Sequence, residues 1–514
     1  MKRLVALLLA LIQCCLLLAC GQQEPQQPQQ FQVGFGKRDI TPKVSLPLDG
    51  YSGANAAQFR WSDFVEKPLY ATCTAITDEK GETLLLITLD MLHANMAEAL
   101  KTVVAETTGV PGGRILIHAT HTHSGIAVSV PESAVMDYLT QLTDWIVTVA
   151  KDALADRQPV EKLETGFTHV ENANSVRHYL LSNGEYIAYT GAKVPAGATW
   201  YGYTSESDKL LQVLRICRAG GKPVVLVNWQ AHPCADVRKK TITSDYPGVL
   251  REELEAKLDC HAVYIQGGAG NLMTGTELAS EKMKHDRNYH QLGQLLAEKA
   301  AEAMGQSRPV ELTELSFLEK QLKLQTKEGN DRTVTLYGFS VGDFALITAP
   351  FEIFDTNAMA VKEASPYGMT FYASCCGGAN GYLPTPESFD WIQAYEARIT
   401  QFPRGTAEKV EAAQKELLTE LFATTGRTAT EKPEGYVRPP EEPKSNGVLY
   451  YTCAASMEDF KPVQNGFYAF EAMDEKGNKP ILLIKDLQVA EKILNVEKAR
   501  YLFDQQNVVV GIAE

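Results

Sequence analysis

Three histidines fall within six residues of the stretch "RILIHATHTHSG", positions 114–125: His118, His121 and His123, out of ten in the chain. Imidazoles this dense can ligate a metal, move protons, or simply finish a strand. In an extended segment alternate side chains share a face. That places His121 and His123 on one side and His118 with Thr120 on the other, so His118 reads as structural. His121 and His123 then make either half of a zinc site or one ligand beside one hydrogen-bond donor to a substrate. Zinc takes three or four N, O or S ligands, and a catalytic site keeps a position open. His232, followed by Pro233, and Glu352, just after Pro350 where a helix would begin, are the further candidates. Singly, each has an ordinary reading as a polar strand end or a carboxylate at a helix N-terminus. Together, at successive strand ends, they point to a metal centre.

Other chemistries fit less well. The loop "QGGAGN", 266–271, offers Gly268, Gly270 and Asn271 as a tight turn lining a pocket. It lacks the G-x-x-x-x-G-K-[ST] pattern of a phosphate cradle, and no G-x-G-x-x-G follows a strand. No G-x-S-x-G elbow is present, which argues against a serine hydrolase. Asp236 or Asp245 could orient a ligating histidine, or serve as a loop or helix-capping residue.

Positioning these groups falls to short apolar runs that end in polar or glycine-rich residues. They are "TLLLITLD", "RILIHAT", "PVVLVNWQAHP", "HAVYIQGGAGN", "FALITAPFEIF" and "MTFYASCCGGANGY". Such runs read as strands buried on both faces. Helical periodicity lies between them at 135–156, 247–257 and 289–305, with a charged surface helix at 403–422. The alternation predicts an α/β fold: a mixed, largely parallel sheet flanked by helices, with a zinc site at the strand carboxyl ends. Residues 423–447 read as a linker, and 448–514 as a small accessory α+β segment with a helix near 489–503.

The formal charge of −14 and the lack of a basic stripe argue against nucleic acid as a partner. Residues 1–19 have the anatomy of an export signal. Leu17-Leu18-Ala19-Cys20 resembles a bacterial lipobox, with lipidation at Cys20. A Gln/Pro tract at 20–31 reads as a flexible tether. The expectation is an exported lipoprotein at a cell-envelope membrane surface. Beyond Cys14, Cys15 and Cys20, seven cysteines remain, with no C-x-x-C. That argues against a disulfide scaffold, although Cys234 or the Cys375–Cys376 pair leaves one bridge open.

Seven segments in order resemble the neutral/alkaline non-lysosomal ceramidase family over roughly residues 32–400. They are "VGFGKRDITP" with "LPLDGYSG", "LLLITLDM", "ATHTHSG", "NWQAHPCAD…SDYPG", "IQGGAGN", "APFEIF" and "NGYLPTPESFDWIQAYEA". The resemblance implies a catalytic domain over 32–422 holding one zinc ion. It implies His121, His232, Glu352 and Tyr382 as ligands, and His123, Tyr395 and Arg177 facing the substrate. Activated water would hydrolyse an amide in N-acyl, ceramide-like lipids. The pattern departs at Met273, where the family carries a loop serine, and at "HPCAD"; the family's long C-terminal β-sandwich is not evident. A zinc hydrolase of another ester or amide, such as a glycan or peptidoglycan fragment, therefore stays open, as does an inactive surface-binding lipoprotein. Oligomeric state is not legible.

Overall fold

The computed structural model describes residues 30–50, 59–188, 193–234, 240–275, 289–438 and 442–513. Cys20, the leader, most of the tether and Asp236 lie outside the described residues.

The main sheet has nine strands. Eight run in the spatial order His261–Gln266, Gly221–Trp229, Leu210–Arg218, Gln158–His169, Gln32–Asp39, Tyr70–Thr77, Thr83–Leu89, Ile115–Ala119, and Arg308–Val310 pairs beside Gln158–His169. Only the two outer pairs are parallel: Thr83–Leu89 with Ile115–Ala119, and Gly221–Trp229 with His261–Gln266. Every other pairing is antiparallel. The sheet is mixed as expected, but it is largely antiparallel rather than largely parallel. An apolar run reports burial on both faces, and Tyr70–Thr77 is buried from Ala71 onward yet antiparallel to both neighbours. The long strand Gln158–His169 mixes exposed charges with buried positions and left no such run.

A second sheet, Ser316–Gln325, Asp331–Val341, Phe344–Thr348 and Met369–Ala373, packs face to face on the first. Its last pair is parallel. The shared core includes Leu86, Leu116, Leu214, Val263, Phe339, Phe344 and Phe371. Helices close both outer faces, giving α/β/β/α layers. Ala97–Thr108, Ser133–Ala155, Asp245–Leu258 and Tyr289–Gly305 cover the main sheet. Asp355–Ala364 and Thr406–Thr424 cover the second.

Sequence dictates how these layers meet. Helix Ser133–Ala155 buries Val135, Tyr138, Leu142, Ile146, Val149 and Ala153, a stripe at three- and four-residue spacing. Each large apolar side chain so buried stabilises the fold by about 1.5–3 kcal/mol. Its close approach needs glycine on the strand below. A Cβ at Gly36 would lie 2.4 Å from the Val149 carbonyl oxygen, and one at Gly34 1.9 Å from that of Ala153.

Lys444–Ala513 forms six strands, five of which close into a small barrel, with helix Leu487–Leu494 packing Val489, Ala490 and Ile493 into its core. The helix expected near 489–503 stops at Leu494. Lys498–Phe503 is a strand, alternating exposed and buried over Lys498–Tyr501. Tyr201 Oη donates to the Asn507 carbonyl across the seam with the α/β body (2.7 Å). Within the linker stretch, Tyr436 is buried and its hydroxyl accepts from Gln212 Nε2 (2.7 Å). Among the described residues no helix is long and apolar enough to cross a membrane.

Candidate metal centre and active site

The polar residues gather where the parallel strand pairs end. Strand Ile115–Ala119 stops one residue before Thr120, and His121 takes a left-handed backbone (φ 69°). The motif is therefore a turn, not the extended segment expected. That turn, held by the His121 amide donating to the Met91 carbonyl (2.9 Å), brings His121 and His123 together. Their ring centroids lie 5.0 Å apart, and both face His232, at 5.0 and 5.5 Å. His118 is buried elsewhere, its Nε2 accepting from the Gln266 amide (3.0 Å). Burial and the neighbouring His121 charge push its pKa down to about 3.

Glu352 and Tyr382 are register partners in a two-residue parallel ladder, Glu352–Ile353 with Tyr382–Leu383. Glu352 thus sits on a short strand, and the helix begins at Asp355. Glu352 Oε2 lies 3.3 Å from both His121 Nε2 and His232 Nε2, and Tyr382 Oη lies 3.3 Å from His232 Nε2. Backbone carbonyls fix the two rings: Leu92 O meets His121 Nδ1 (2.8 Å) and Leu272 O meets His232 Nδ1 (2.9 Å). A carbonyl at Nδ1 selects the Nδ1–H tautomer and aims the Nε2 lone pair inward. The orienting role weighed for an aspartate belongs to these carbonyls. Asp245 instead accepts from the amide of Tyr246 in the first turn of its helix (2.6 Å).

Whether these residues suit a metal is decided by what their inner atoms lack. His121 Nε2 and Glu352 Oε2 are buried without a hydrogen bond among the described residues. Leaving such atoms bare costs about 1–3 kcal/mol each. Two imidazoles, a carboxylate and a phenol converging at one point are a donor set zinc accepts. Two overlapping groups can hold an ion, His121–His123–His232 and His93–His121–Glu352. The electrostatics agree. Burial opposes charge on Glu352, yet His121 outweighs it and holds the carboxyl well below its usual range. Burial likewise opposes charge on His121, but Cys375 and Glu352 raise its pKa well above the usual value. His232 is lowered to about 4, by burial and then by Arg177. His123 falls well below its ordinary value through burial and the two neighbouring histidines.

A cavity of about 520 Å³ opens onto this cluster, lined among others by His93, His121, His123, Arg177, Glu352, Tyr382 and Tyr395. The loop of Asp49 and Gly50 forms one rim, close over His123. A Cβ at Gly50 (φ 93°) would lie 2.4 Å from His123 Nδ1. Arg177 stands opposite, its guanidinium 5.4 Å from the Tyr382 ring and 5.8 Å from that of Tyr395. The glycine loop backs the site without lining the cavity. A Cβ at Gly270 would lie 2.5 Å from the Glu352 carbonyl, and one at Gly268 2.4 Å from Ala358 Cβ. The Gly270 carbonyl accepts from Arg177 Nη2 (2.7 Å), and Asn271 Nδ2 donates to Asp355 (2.7 Å). Met273 lays its sulfur 3.8 Å from Arg177 Nη1 and 4.0 Å from Cys234. Cys234, Cys375 and Cys376 are free thiols.

Two residues were not picked out as site residues from the sequence. His93 follows the run ending at Asp90, the same strand-end signal that singled out His121. Cys375 meets His121 Nδ1 at 3.5 Å; its thiol pKa is lowered because the His121 charge outweighs burial. Its left-handed backbone (φ 51°) places it there.

Fold and site together define an α/β/β/α body with a metal-type His/Glu/Tyr cluster at the ends of its parallel strand pairs. Two solved structures share the fold. Neutral ceramidase from Pseudomonas aeruginosa superposes with a TM-score of 0.61 at 18% identity, covering 87% of this chain and 84% of that one. A ceramidase complexed with C2 gives 0.60 at 17% identity, covering 86% and 84%. No protein-family model matches the chain, and no curated protein matches it by sequence.

Proposed function

We propose that this protein is a zinc-dependent hydrolase of an amide bond in N-acyl, ceramide-like lipids. The observation that carries the reading is the convergence of His121, His232, Glu352 and Tyr382 at the floor of an open cavity, with His121 Nε2 and Glu352 Oε2 buried and without a hydrogen bond among the described residues. The shared fold with two ceramidase structures supports it. These four residues would hold the metal, which when bound supplies an activated water and a polarised carbonyl. His123 and Tyr395, with Arg177 beside them, would face the substrate carbonyl. Donors placed where charge develops contribute about 3–4 kcal/mol each at comparable sites. Met273 at the loop position costs this scheme nothing, since no serine nucleophile enters it.

A second reading has its own observation. Among the described residues that line the cavity, only Leu92 and Ile399 are aliphatic. That lining suits a compact, polar acyl amide or ester, such as a glycan or peptidoglycan fragment. An acyl-release screen separates the two: N-acyl sphingoid bases turn over fastest on the first reading, polar N-acyl amino acids or sugars on the second. Turnover of neither by metal-loaded protein would leave an inactive binding lipoprotein. We place the activity at a cell-envelope membrane surface through lipid on Cys20, which radiolabelled fatty acid incorporation into wild type but not Cys20→Ala would support.

A further inference from the structure

Two dipeptides far apart in sequence are joined inside the molecule by one carboxylate. Glu396, 1% exposed, accepts from Arg177 Nε through Oε1 (2.5 Å) and meets His178 Nε2 through Oε2 (3.0 Å). Arg177 and His178 are themselves buried, and His178 is packed between the rings of Phe354 and Trp391. Glu396 immediately follows Tyr395 in a helix of only five residues, Tyr395–Ile399. So short a helix has almost no stability of its own, and its placement must come from tertiary ties. Three are visible: Glu396 to the Arg177–His178 pair, Lys327 Nζ donating to the Ala397 carbonyl (2.8 Å), and Thr400 Oγ1 donating to the Tyr382 carbonyl (2.7 Å). Charged partners in such a pair are shorter and stronger than neutral ones, and two oxygens fix direction as well as distance.

We propose that Glu396 is a positioning residue for the reaction: its two-oxygen clamp sets Arg177 and Tyr395 on the carbonyl-facing wall, while His121, His232 and Glu352 are held by other ties. The inference rests on the hydrolase reading for its catalytic consequence, but not for its geometry. Glu396 contacts neither His121, His232 nor Glu352 among its hydrogen bonds and ion pairs. Glutamine in its place keeps the shape but turns one acceptor into a donor facing a donor. Aspartate keeps the charge but is one methylene too short to span both partners.

The test uses full-length protein and Glu396→Gln, with Glu396→Asp as the second variant. Bound zinc should stay at the wild-type level and the circular dichroism should be unchanged. With an N-acyl amide that the wild type turns over, kcat should fall by about 10–100-fold with KM within about threefold, the scale of outer-sphere partners at metal sites. Combined with Tyr395→Phe, Glu396→Gln should cost less than the product of the two separate losses, because the Tyr395 donor is counted in both. Independently of activity, phenylglyoxal labelling of Arg177, read by mass spectrometry, should quicken by about tenfold as its clamp opens. Wild-type kcat in both variants, or additive losses in the double variant, would overturn the proposal. Unchanged Arg177 labelling would overturn it whatever the activity. If the wild type hydrolyses no N-acyl probe, the functional reading fails and the labelling alone decides the positioning.

Discussion

Glu352 and Asp355 lie three residues apart on one segment, both buried, and the fold treats them in opposite ways. Asp355 is saturated. Its Oδ1 accepts from Asn271 Nδ2 (2.7 Å) and the Thr356 amide (2.8 Å), and its Oδ2 from the Asp208 amide (3.0 Å). The Asp208 carboxylate in turn holds the Lys362 ammonium. Glu352 faces two imidazoles, yet its Oε2 has no hydrogen bond. Buried polar atoms in folded proteins are normally satisfied, so an exception needs a reason. The Asp355 network is an answer to a structural problem. The Glu352 cluster is half an answer, and its donor set could hold a metal ion.

Substitutions can break this contrast. The largest effect belongs to the unsatisfied cluster. His121→Ala, His232→Ala or Glu352→Gln should each lose bound metal and lower amide hydrolysis by on the order of 10³-fold or more, beyond what one oxyanion donor costs. Metal analysis beside steady-state kinetics checks this. Thermal stability should change little, because removing one member of a strained set relieves bare atoms as well as losing packing. Tyr395→Phe and His123→Gln come next. Each should cost about 10²–10³-fold in kcat with metal retained, since they stand at the carbonyl and not at the ligand ring. Metal lost in either would move that residue into the ligand set.

The saturated network should respond the other way. Asn271→Ala strips partners from Asp355 and should destabilise the fold by about 1–3 kcal/mol in urea titrations, with metal content intact in the folded fraction. The smallest effect is a pH dependence. Burial works against ionised Glu396, but Arg177 and His178 outweigh it and hold its pKa at about 2 rather than 4.5. Stability from a depressed carboxylate is fully present above the unfolded value and is lost as the folded group protonates. The stability difference between wild type and Glu396→Gln should therefore be constant above about pH 4.5 and shrink as pH falls toward 2.

How legible all this was depends on what each residue leaves in the sequence. His121, His232 and Glu352 announce themselves because a polar group ending an apolar run is unusual, and the structure brings all three to one point. Strand orientation was not legible. Thr83–Leu89 and Ala71–Thr77 are both buried at every position, and the burial pattern carries nothing about whether a neighbour runs with or against them. Tyr382 came only from a family likeness, since a tyrosine after a glycine turn has no distinctive spacing; its place opposite Glu352 is a matter of ladder register. The left-handed turn at His121 was invisible for the same kind of reason. Alternation is a rule for extended chain, and the chain stops being extended at Thr120. The glycine loop was read as a tight turn lining a pocket; what its glycines make room for, the Glu352 backbone and Ala358, leaves no mark in the sequence.

The most direct test is elemental analysis of purified full-length protein and of His121→Ala, each assayed for N-acyl amide hydrolysis before and after chelation. About one zinc per wild-type chain is expected, none in the variant, and activity that falls with chelation and returns with added zinc. A metal-free wild type that hydrolyses the amide at full rate, or a His121→Ala protein that keeps both its metal and its activity, would contradict the metal centre described above.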